Sequence, residues 1–402
     1  MKIWSRISLP LLIFITALLL RILHIAFLEE GFYFSDFKAY DRAAQYLVEG
    51  QGFDPEFKRP PLYPLFLALQ YLLFGHHILL IRIFQAIMGA YSCVLIFYIA
   101  DKLLGKKPAS ISAWISVFYP YYVFITGLLY PTMLTTFLLI CTIYFLVLAV
   151  QDKSIISAGI AAFLLGLASL AVPVCLAFVP FLLIWFIFWS GLGKSRGLIY
   201  GLIALVVVVI TLVPWTYYGY QHYGRLIVID PRLEKHLPII KSPDESNPNA
   251  GYNGGGERFN MILDQPGRFM GNAAGEFVRF WKFIPDRIVT SRMDYRQKVH
   301  EEDDRMVVDH PYTSHFLDWV SIFSYGPVFL LALVGIALNL AHWQLISLPL
   351  LLAISQALGY SMFFAQTRYR LPIEFCLMIL AGGGIYIIWK KIRNHKEEYN
   401  EG

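Results

Sequence analysis

Residues 198–218 read LIYGLIALVVVVITLVPWTYY, and no charged side chain interrupts these twenty-one residues. An α-helix needs about 20 apolar residues to cross the ~30 Å hydrocarbon core of a bilayer. The stretch is therefore predicted to be a membrane-spanning helix, and the rest of the sequence decides whether it stands alone.

The composition of the whole chain favours several such helices. Of 402 residues, 57% are hydrophobic and 15% are charged, whereas a soluble domain carries about 25% charged residues. A water-soluble globule could not hide so much apolar surface. These values exclude disordered, collagen-like, disulfide-scaffold and nucleic-acid-binding classes, and they predict an all-α polytopic membrane protein. The four cysteines lie inside apolar runs and never in CxxC spacing, which indicates neither disulfides nor a metal site.

Apolar runs of suitable length predict about ten transmembrane helices. The runs are residues 9–28, 79–100, 109–126, 128–150, 155–172, 174–189, 198–218, 321–340, 345–364 and 371–389. A further run, residues 62–74, is too short to span comfortably and lies between Pro60-Pro61 and Gly75. It is therefore predicted to be a helix in the membrane interface.

Lysine and arginine in the short loops predict the orientation, because cytoplasmic loops carry an excess of both. With the N-terminus in the cytoplasm, ten spans bring both termini to that side and place these basic loops inside. The basic residues of these loops and of the C-terminal tail are Lys102, Lys106, Lys107, Lys153, Lys194, Arg196, Lys390, Lys391, Arg393 and Lys396.

This topology divides the chain into three parts. Residues 1–218 form an N-terminal membrane module, whose first outer loop, residues 29–77, contains the interfacial helices. Residues 219–319, between the seventh and eighth spans, form a long polar and glycine-containing extracytoplasmic loop or lid. Residues 320–402 form the C-terminal membrane helices and the cytoplasmic tail.

Charged side chains at membrane depth are costly and therefore indicate candidate sites. Several cations share the predicted outer interface, where a lipid phosphate would lie, and arginine binds phosphate through paired, charge-assisted hydrogen bonds. An alternative is that each extends its charge to the interface along its aliphatic chain. The prolines near Arg59, Arg368 and Arg370 favour a site. The candidate phosphate-binding residues are Lys58, Arg59, Arg82, Arg368 and Arg370.

One carboxylate in the first outer loop could act beside these cations. Asp36 stands at the start of a predicted helix that Gly50 ends, and Tyr40 shares its face, whereas Asp41 points away. Asp36 could simply be the N-cap of this helix. A carboxylate at a helix N-terminus also stays ionised, which suits a general base, so the two roles are compatible.

Several motifs in a defined order resemble those of a known family. They are Asp36 with Tyr40, Gly50-Gln51-Gly52-Phe53, Arg59-Pro60-Pro61-Leu62-Tyr63-Pro64, Arg82-Ile83-Phe84-Gln85, Asp101-Lys102-Leu103-Leu104-Gly105, Tyr119-Pro120 and Arg368-Tyr369-Arg370-Leu371-Pro372-Ile373. The set resembles the C-type (GT-C) integral-membrane glycosyltransferases, and among them the protein mannosyltransferase and aminoarabinose transferase-like superfamily. Family members often carry an acid where this chain has Leu129-Tyr130-Pro131-Thr132.

The resemblance implies an enzyme that transfers a sugar from a polyprenyl-phosphate donor to an acceptor hydroxyl on the extracytoplasmic face, usually with inversion. Asp36 would be the general base, the cations would neutralise the leaving phosphate, and Tyr40 and Tyr63 would support them. No cofactor is implied. The fixed cations would remove the need for a metal, and a divalent ion stays compatible. The partners would be the donor lipid, a glycan, lipid or protein acceptor, and membrane lipids, with no nucleic acid.

Two other functions use the same residues differently. A transporter or flippase of an anionic lipid-linked solute would bind it through the same arginines, but it predicts charged groups and broken helices at the bilayer midplane. Few charged groups lie mid-span in this sequence. A non-catalytic scaffold could use the long outer loop to bind a partner, but it does not explain the cations at the outer interface.

Overall fold

A computed structural model describes residues 8–28, 35–53, 59–223, 228–229, 266–284, 300–302, 305–307, 315–363 and 365–401. Lys58 lies outside these residues, as does most of the predicted loop 219–319.

The described residues form fourteen α-helices and one two-stranded antiparallel sheet. The helices are α1 (Leu9–Ala26), α2 (Ser35–Val48), α3 (Leu62–Phe74), α4 (Ile78–Leu104), α5 (Lys106–Phe118), α6 (Pro120–Phe124), α7 (Thr132–Gln151), α8 (Ile155–Ala171), α9 (Phe178–Phe188), α10 (Lys194–Tyr223), α11 (Pro266–Phe280), α12 (His315–Leu338), α13 (Trp343–Ser361) and α14 (Glu374–Glu401). The strands β1 (His300–Glu302) and β2 (Arg305–Val307) pair with His300 opposite Val307. The all-α fold class predicted from the sequence is confirmed.

Seven helices among the described residues are long and apolar enough to cross a membrane, and α5 with α6 makes an eighth if this bent pair is one span. These eight correspond to eight of the ten predicted spans. The other two, α8 and the helical segment Pro173–Phe188, are apolar but shorter, so the predicted count of ten is not confirmed. The chain is an integral membrane protein whose apolar helices vary in length.

The span predicted at residues 109–126 is broken rather than straight. Helices α5 and α6 meet at an angle of 56° around Tyr119, which has the extended dihedrals φ −71° and ψ 113°. Pro120 causes the break, because proline disfavours helical dihedrals in the residue before it and has no N–H to donate. The sequence contained this signal in Tyr119-Pro120.

Helix α14 is the central helix of the bundle. In the candidate span Thr367–Asn394, which contains most of α14, 78% of the residues of the most apolar stretch are buried, compared with 22% in α1. Glycines allow its close contact with α12: a Cβ at Gly335 would lie 2.0 Å from the Leu380 carbonyl oxygen, and one at Gly384 would lie 2.7 Å from that of Leu331. Small residues are common where membrane helices approach this closely. The turn before α14, which carries Arg368 and Arg370, is therefore built on the most buried helix.

The short helices α2 and α3 pack against each other beside the bundle. Helix α2 begins at Ser35 and ends at Val48, and Gly50 follows with φ +74°, a conformation that favours glycine. Helix α3 has the predicted bounds Leu62–Phe74. These two helices position Asp36 at the start of α2 and Arg59 just before α3.

Candidate functional site

Asp36 and Arg59, predicted as base and phosphate ligand, form an ion pair. The Arg59 Nη2 donates to Asp36 Oδ1 at 2.6 Å, and the side chains are 33% exposed for Asp36 and 19% for Arg59. Burial alone lowers the pKa of Arg59, but its hydrogen bond to Asp36 and the neighbouring Tyr40 outweigh burial and raise it. The guanidinium of Arg59 therefore stays charged beside Asp36, and part of the surface of the pair is accessible.

An aromatic setting surrounds this pair. The Arg59 guanidinium carbon lies 5.2 Å from the centre of the Tyr40 ring, within the range of a cation–π interaction. Tyr40 meets the rings of Tyr63 and Tyr130 edge-on, at centroid distances of 5.2 and 5.8 Å. Burial and the proximity of Tyr130 raise the pKa of Tyr40, so its hydroxyl stays protonated. Tyr63 donates a hydrogen bond to Gln85 at 3.2 Å.

Arg368 completes the same site from the other end of the chain. Its guanidinium carbon lies 5.7 Å from the ring centre of Tyr130 and 5.3 Å from that of Tyr369. It is exposed, and it interacts electrostatically with Asp36. We call Asp36, Tyr40, Arg59, Tyr130 and Arg368 the Asp36 cluster. Tyr130 links the two halves of the cluster, because its ring contacts both Tyr40 and Arg368.

Arg370, only two residues further, lies in a different environment. Its Nε donates to Glu374 Oε1 at 2.6 Å, and the two side chains are 2% and 0% exposed. Its guanidinium carbon lies 3.4 Å from the centre of the Tyr325 ring, and its Nη1 donates to the carbonyls of Phe280, at 3.3 Å, and Lys282. We call Arg370, Glu374 and Tyr325 the Arg370 cluster. Arg370 is thus not brought together with Asp36.

Arg82 is buried, at 3% exposure. Its Nε donates to the carbonyl of Gly127 at 3.0 Å. Gln85, one turn along α4, donates to the carbonyls of Thr126 and Leu128 at 3.0 and 2.8 Å. These bonds satisfy backbone carbonyls that the end of the bent pair α5–α6 leaves free inside the membrane protein.

Sequence reasoning missed the acids that hold these elements together. Asp41, predicted to point away from Asp36, is buried, and it accepts hydrogen bonds from Tyr71 and from Gln45, the latter at 2.8 Å, while His76 Nε2 lies 2.8 Å away. Burial and the charge of Asp41 raise the pKa of Tyr71, so Tyr71 remains a donor. Glu374 stands four residues after Arg370, and this i, i+4 spacing was the available signal.

No group of three His, Cys, Asp or Glu side chains with metal-site geometry occurs within the described part of the chain. Lys58 lies outside that part. The residues that come together are therefore Asp36, Arg59 and Arg368, with Tyr40 and Tyr63 packed beside them.

Comparison with known families identifies the fold. Residues 58–218 match the family described as dolichyl-phosphate-mannose-protein mannosyltransferase. No curated protein matches the chain by sequence. These 161 residues carry α3 to α10 and include Arg59, Tyr63 and Tyr130.

Solved structures match all or nearly all of the chain. The Archaeoglobus fulgidus oligosaccharyltransferase in its apo form matches with a TM-score of 0.62 and 13% identity, over 100% of this chain and 52% of that one. The Cupriavidus metallidurans ArnT bound to undecaprenyl phosphate matches with a TM-score of 0.59 and 16% identity, over 93% and 59%. The archaeal oligosaccharyltransferase AglB from A. fulgidus, in complex with an inhibitory peptide and a dolichol-phosphate, matches with a TM-score of 0.57 and 13% identity, over 100% and 52%.

The family match over residues 58–218 and the structural matches agree with the resemblance to the GT-C integral-membrane glycosyltransferases, and to their protein mannosyltransferase and aminoarabinose transferase-like superfamily, that the sequence motifs indicated. The chain shares its fold with these structures and spans about half the length of the solved structures that it matches.

Proposed function

We propose that this protein is a glycosyltransferase that takes a sugar from a polyprenyl-phosphate donor and transfers it to an acceptor hydroxyl on the extracytoplasmic face. The observation that carries the proposal is the Asp36 cluster. One carboxylate and two guanidinium groups share a partly exposed, aromatic-lined site in a chain with the GT-C fold. The undecaprenyl phosphate of the ArnT complex and the dolichol-phosphate of the AglB complex support a lipid phosphate as part of the donor.

The proposed step is a single displacement with inversion. The acceptor oxygen forms a bond to the anomeric carbon as the bond from that carbon to the phosphate oxygen breaks. The bonding electron pair leaves with the lipid phosphate, and the hydroxyl proton passes to the carboxylate of Asp36. The phosphate departs as an anion, so the step needs positive charge to stabilise it rather than a general acid.

The two arginines suit different tasks in this step. An attacking oxygen and a leaving phosphate lie on opposite sides of the anomeric carbon, so base and phosphate ligand should be separated. Arg59 contacts Asp36 directly and would keep the base ionised and oriented. Arg368, with the Tyr130 ring between it and Tyr40, is better placed to bind the phosphate. From the sequence, both Arg59 and Arg368 were predicted to bind the phosphate.

Substitution of the base tests the proposal. Asp36→Asn keeps the size of the side chain and removes its basicity, so we expect sugar transfer to fall about 10²- to 10⁴-fold. Purified protein is assayed with undecaprenyl- and dolichyl-phosphate donors that carry mannose or aminoarabinose, and with membranes from the source cells as acceptor. The matched control is Glu49→Gln, because Glu49 is an exposed acid just beyond the other end of α2.

Two results would contradict the proposal. Transfer by Asp36→Asn at the wild-type rate would remove Asp36 as the base. Movement of the intact donor lipid across vesicles, without release of its sugar, would favour a transporter or flippase instead.

A further inference from the structure

Arg368, to which we assign the phosphate, lies in a turn whose two ends are both hydrogen-bonded to the C-terminal end of α11. Before it, the backbone N–H of Ala365 donates to Glu276 Oε2 at 2.8 Å. After it, Arg370 Nη1 donates to the carbonyls of Phe280 and Lys282. Glu276 and Phe280 belong to the last turns of α11, and Lys282 follows two residues later.

The carboxylate of Glu276 is fully engaged, although the side chain is 21% exposed. Arg279 donates to its other oxygen, Oε1, at 2.8 Å, so both carboxylate oxygens have partners. The backbone that Glu276 holds is inaccessible, because Ala365 is 0% exposed. A charge-assisted hydrogen bond to a buried backbone N–H is stronger than a neutral one, so Glu276 constrains the position of this backbone.

A row of aromatic rings connects α11 to the same turn. Tyr369 stacks on Tyr360 with ring centroids 4.7 Å apart and an interplanar angle of 11°. Tyr360 in turn stacks on Phe280 at 5.8 Å and 23°. Tyr369 is the chain neighbour of Arg368, so packing and hydrogen bonds from α11 act on the same short segment.

The turn needs such support because of its geometry. Residues Thr367–Ile373 form a 3₁₀-helix, whose hydrogen bonds are poorer than those of an α-helix, and Pro372 removes one donor. A displacement of about 1 Å at a residue that holds a substrate can reduce a reaction rate about 100-fold. The position of Arg368 therefore depends on contacts outside its own turn.

We propose that Glu276 is a positioning residue that acts through the Ala365 backbone to hold Arg368 where it binds the donor phosphate. This inference rests on the proposed function. It assigns to α11, which lies in the segment between α10 and α12, a direct part in building the Asp36 cluster. The competing explanation is that Glu276 only docks α11 on the bundle.

The experiment measures binding of undecaprenyl phosphate to the purified full chain in detergent, together with amide hydrogen exchange of residues 365–370. Four variants are compared: Glu276→Ala, Glu276→Gln, Arg368→Ala and the double variant Glu276→Ala/Arg368→Ala. The control is Val278→Ala, because Val278 is on the same helix and 67% exposed.

We expect Glu276→Ala to weaken binding about tenfold and to accelerate exchange at residues 365–370. Glu276→Gln retains an oxygen acceptor for the Ala365 N–H but loses the charge, so it should weaken binding less than Glu276→Ala does, whereas Val278→Ala should remain within about twofold of the wild type. In the Arg368→Ala background, Glu276→Ala should have no further effect on binding, because its action passes through Arg368.

Other results would overturn the inference. If Glu276→Ala weakens binding of undecaprenyl phosphate by the same factor in the wild type and in Arg368→Ala, Glu276 only docks α11. If Glu276→Ala leaves binding unchanged in the wild type, Glu276 has no positioning role. If Arg368→Ala binds undecaprenyl phosphate as the wild type does, the phosphate assignment of Arg368 fails first and the positioning role fails with it. If Arg368→Ala weakens binding and Glu276→Ala does not, the proposed function stands and only the positioning role is lost.

Discussion

The ion pairs Asp36–Arg59 and Arg370–Glu374 have the same length, 2.6 Å, but lie in opposite environments. The first is partly exposed, at 33% and 19%, and the second is closed, at 0% for Glu374 and 2% for Arg370. An accessible pair can exchange partners with a substrate, whereas a closed pair is held by the fold. The N–O distance alone therefore does not identify a site, and burial distinguishes the pair that we propose for catalysis from the pair that we expect to be structural.

The largest effect that follows from this difference concerns stability. Glu374→Ala leaves the Arg370 charge buried without its carboxylate and should reduce the free energy of unfolding by about 3–5 kcal/mol. The apolar double variant Arg370→Met/Glu374→Leu should recover part of this loss, because neither charge is then buried. Thermal unfolding in detergent, followed by tryptophan fluorescence, measures both. If Glu374→Ala unfolds like the wild type, the Arg370 cluster is not structural.

The second effect concerns activity at the exposed pair. Arg59→Ala removes the charged partner of Asp36 and should lower sugar transfer about 100-fold. Its free energy of unfolding should change by only about 0–1 kcal/mol, because water can replace the lost partner at an accessible pair. Transfer and thermal unfolding are measured on the same preparation. If Arg59→Ala reduces the free energy of unfolding as much as Glu374→Ala does, the Asp36–Arg59 pair is structural in the same way as the Arg370–Glu374 pair.

The smallest effect concerns the second carboxylate of α2. Tyr71→Phe deletes one hydrogen bond to the buried Asp41 and should cost about 1 kcal/mol of unfolding free energy. Tyr91→Phe is the matched control, because Tyr91 is 52% exposed on α4. Thermal unfolding of both variants gives the difference. A loss of transfer in Tyr71→Phe without any loss of stability would show that Asp41 influences Asp36 more than it supports α2.

Hydropathy and turn residues predicted much of the fold. The apolar stretch around Val207 lies in the long apolar helix α10, and prolines and glycines bounded α3 at the residues where it begins and ends. These predictions succeed because a spanning segment must satisfy its backbone internally and must be apolar along its length. The predicted count of ten spans is not confirmed, because α8 and the segment Pro173–Phe188 are shorter than a typical span.

The site was only partly predictable, because a sequence gives the order of side chains and not their directions. Asp36, Arg59 and Arg368 come together as the sequence suggested. Arg370 turns inward because the 3₁₀-helix rotates each residue by about 120°, so side chains two apart point away from each other. Glu276 gave no signal, since its partner is a backbone N–H almost ninety residues away in the chain.

The bend between α5 and α6 determines where the chain enters the Asp36 cluster at Tyr130. Tyr130 follows the bend within three residues of Gly127, whose carbonyl is held by Arg82. Through Arg82, α4 thus holds the backbone that leads to Tyr130, and Tyr130 contacts both Tyr40 and Arg368. Substitution of Arg82 should therefore shift Tyr130, and with it the space beside the proposed base and phosphate ligand, without removing a side chain of the Asp36 cluster.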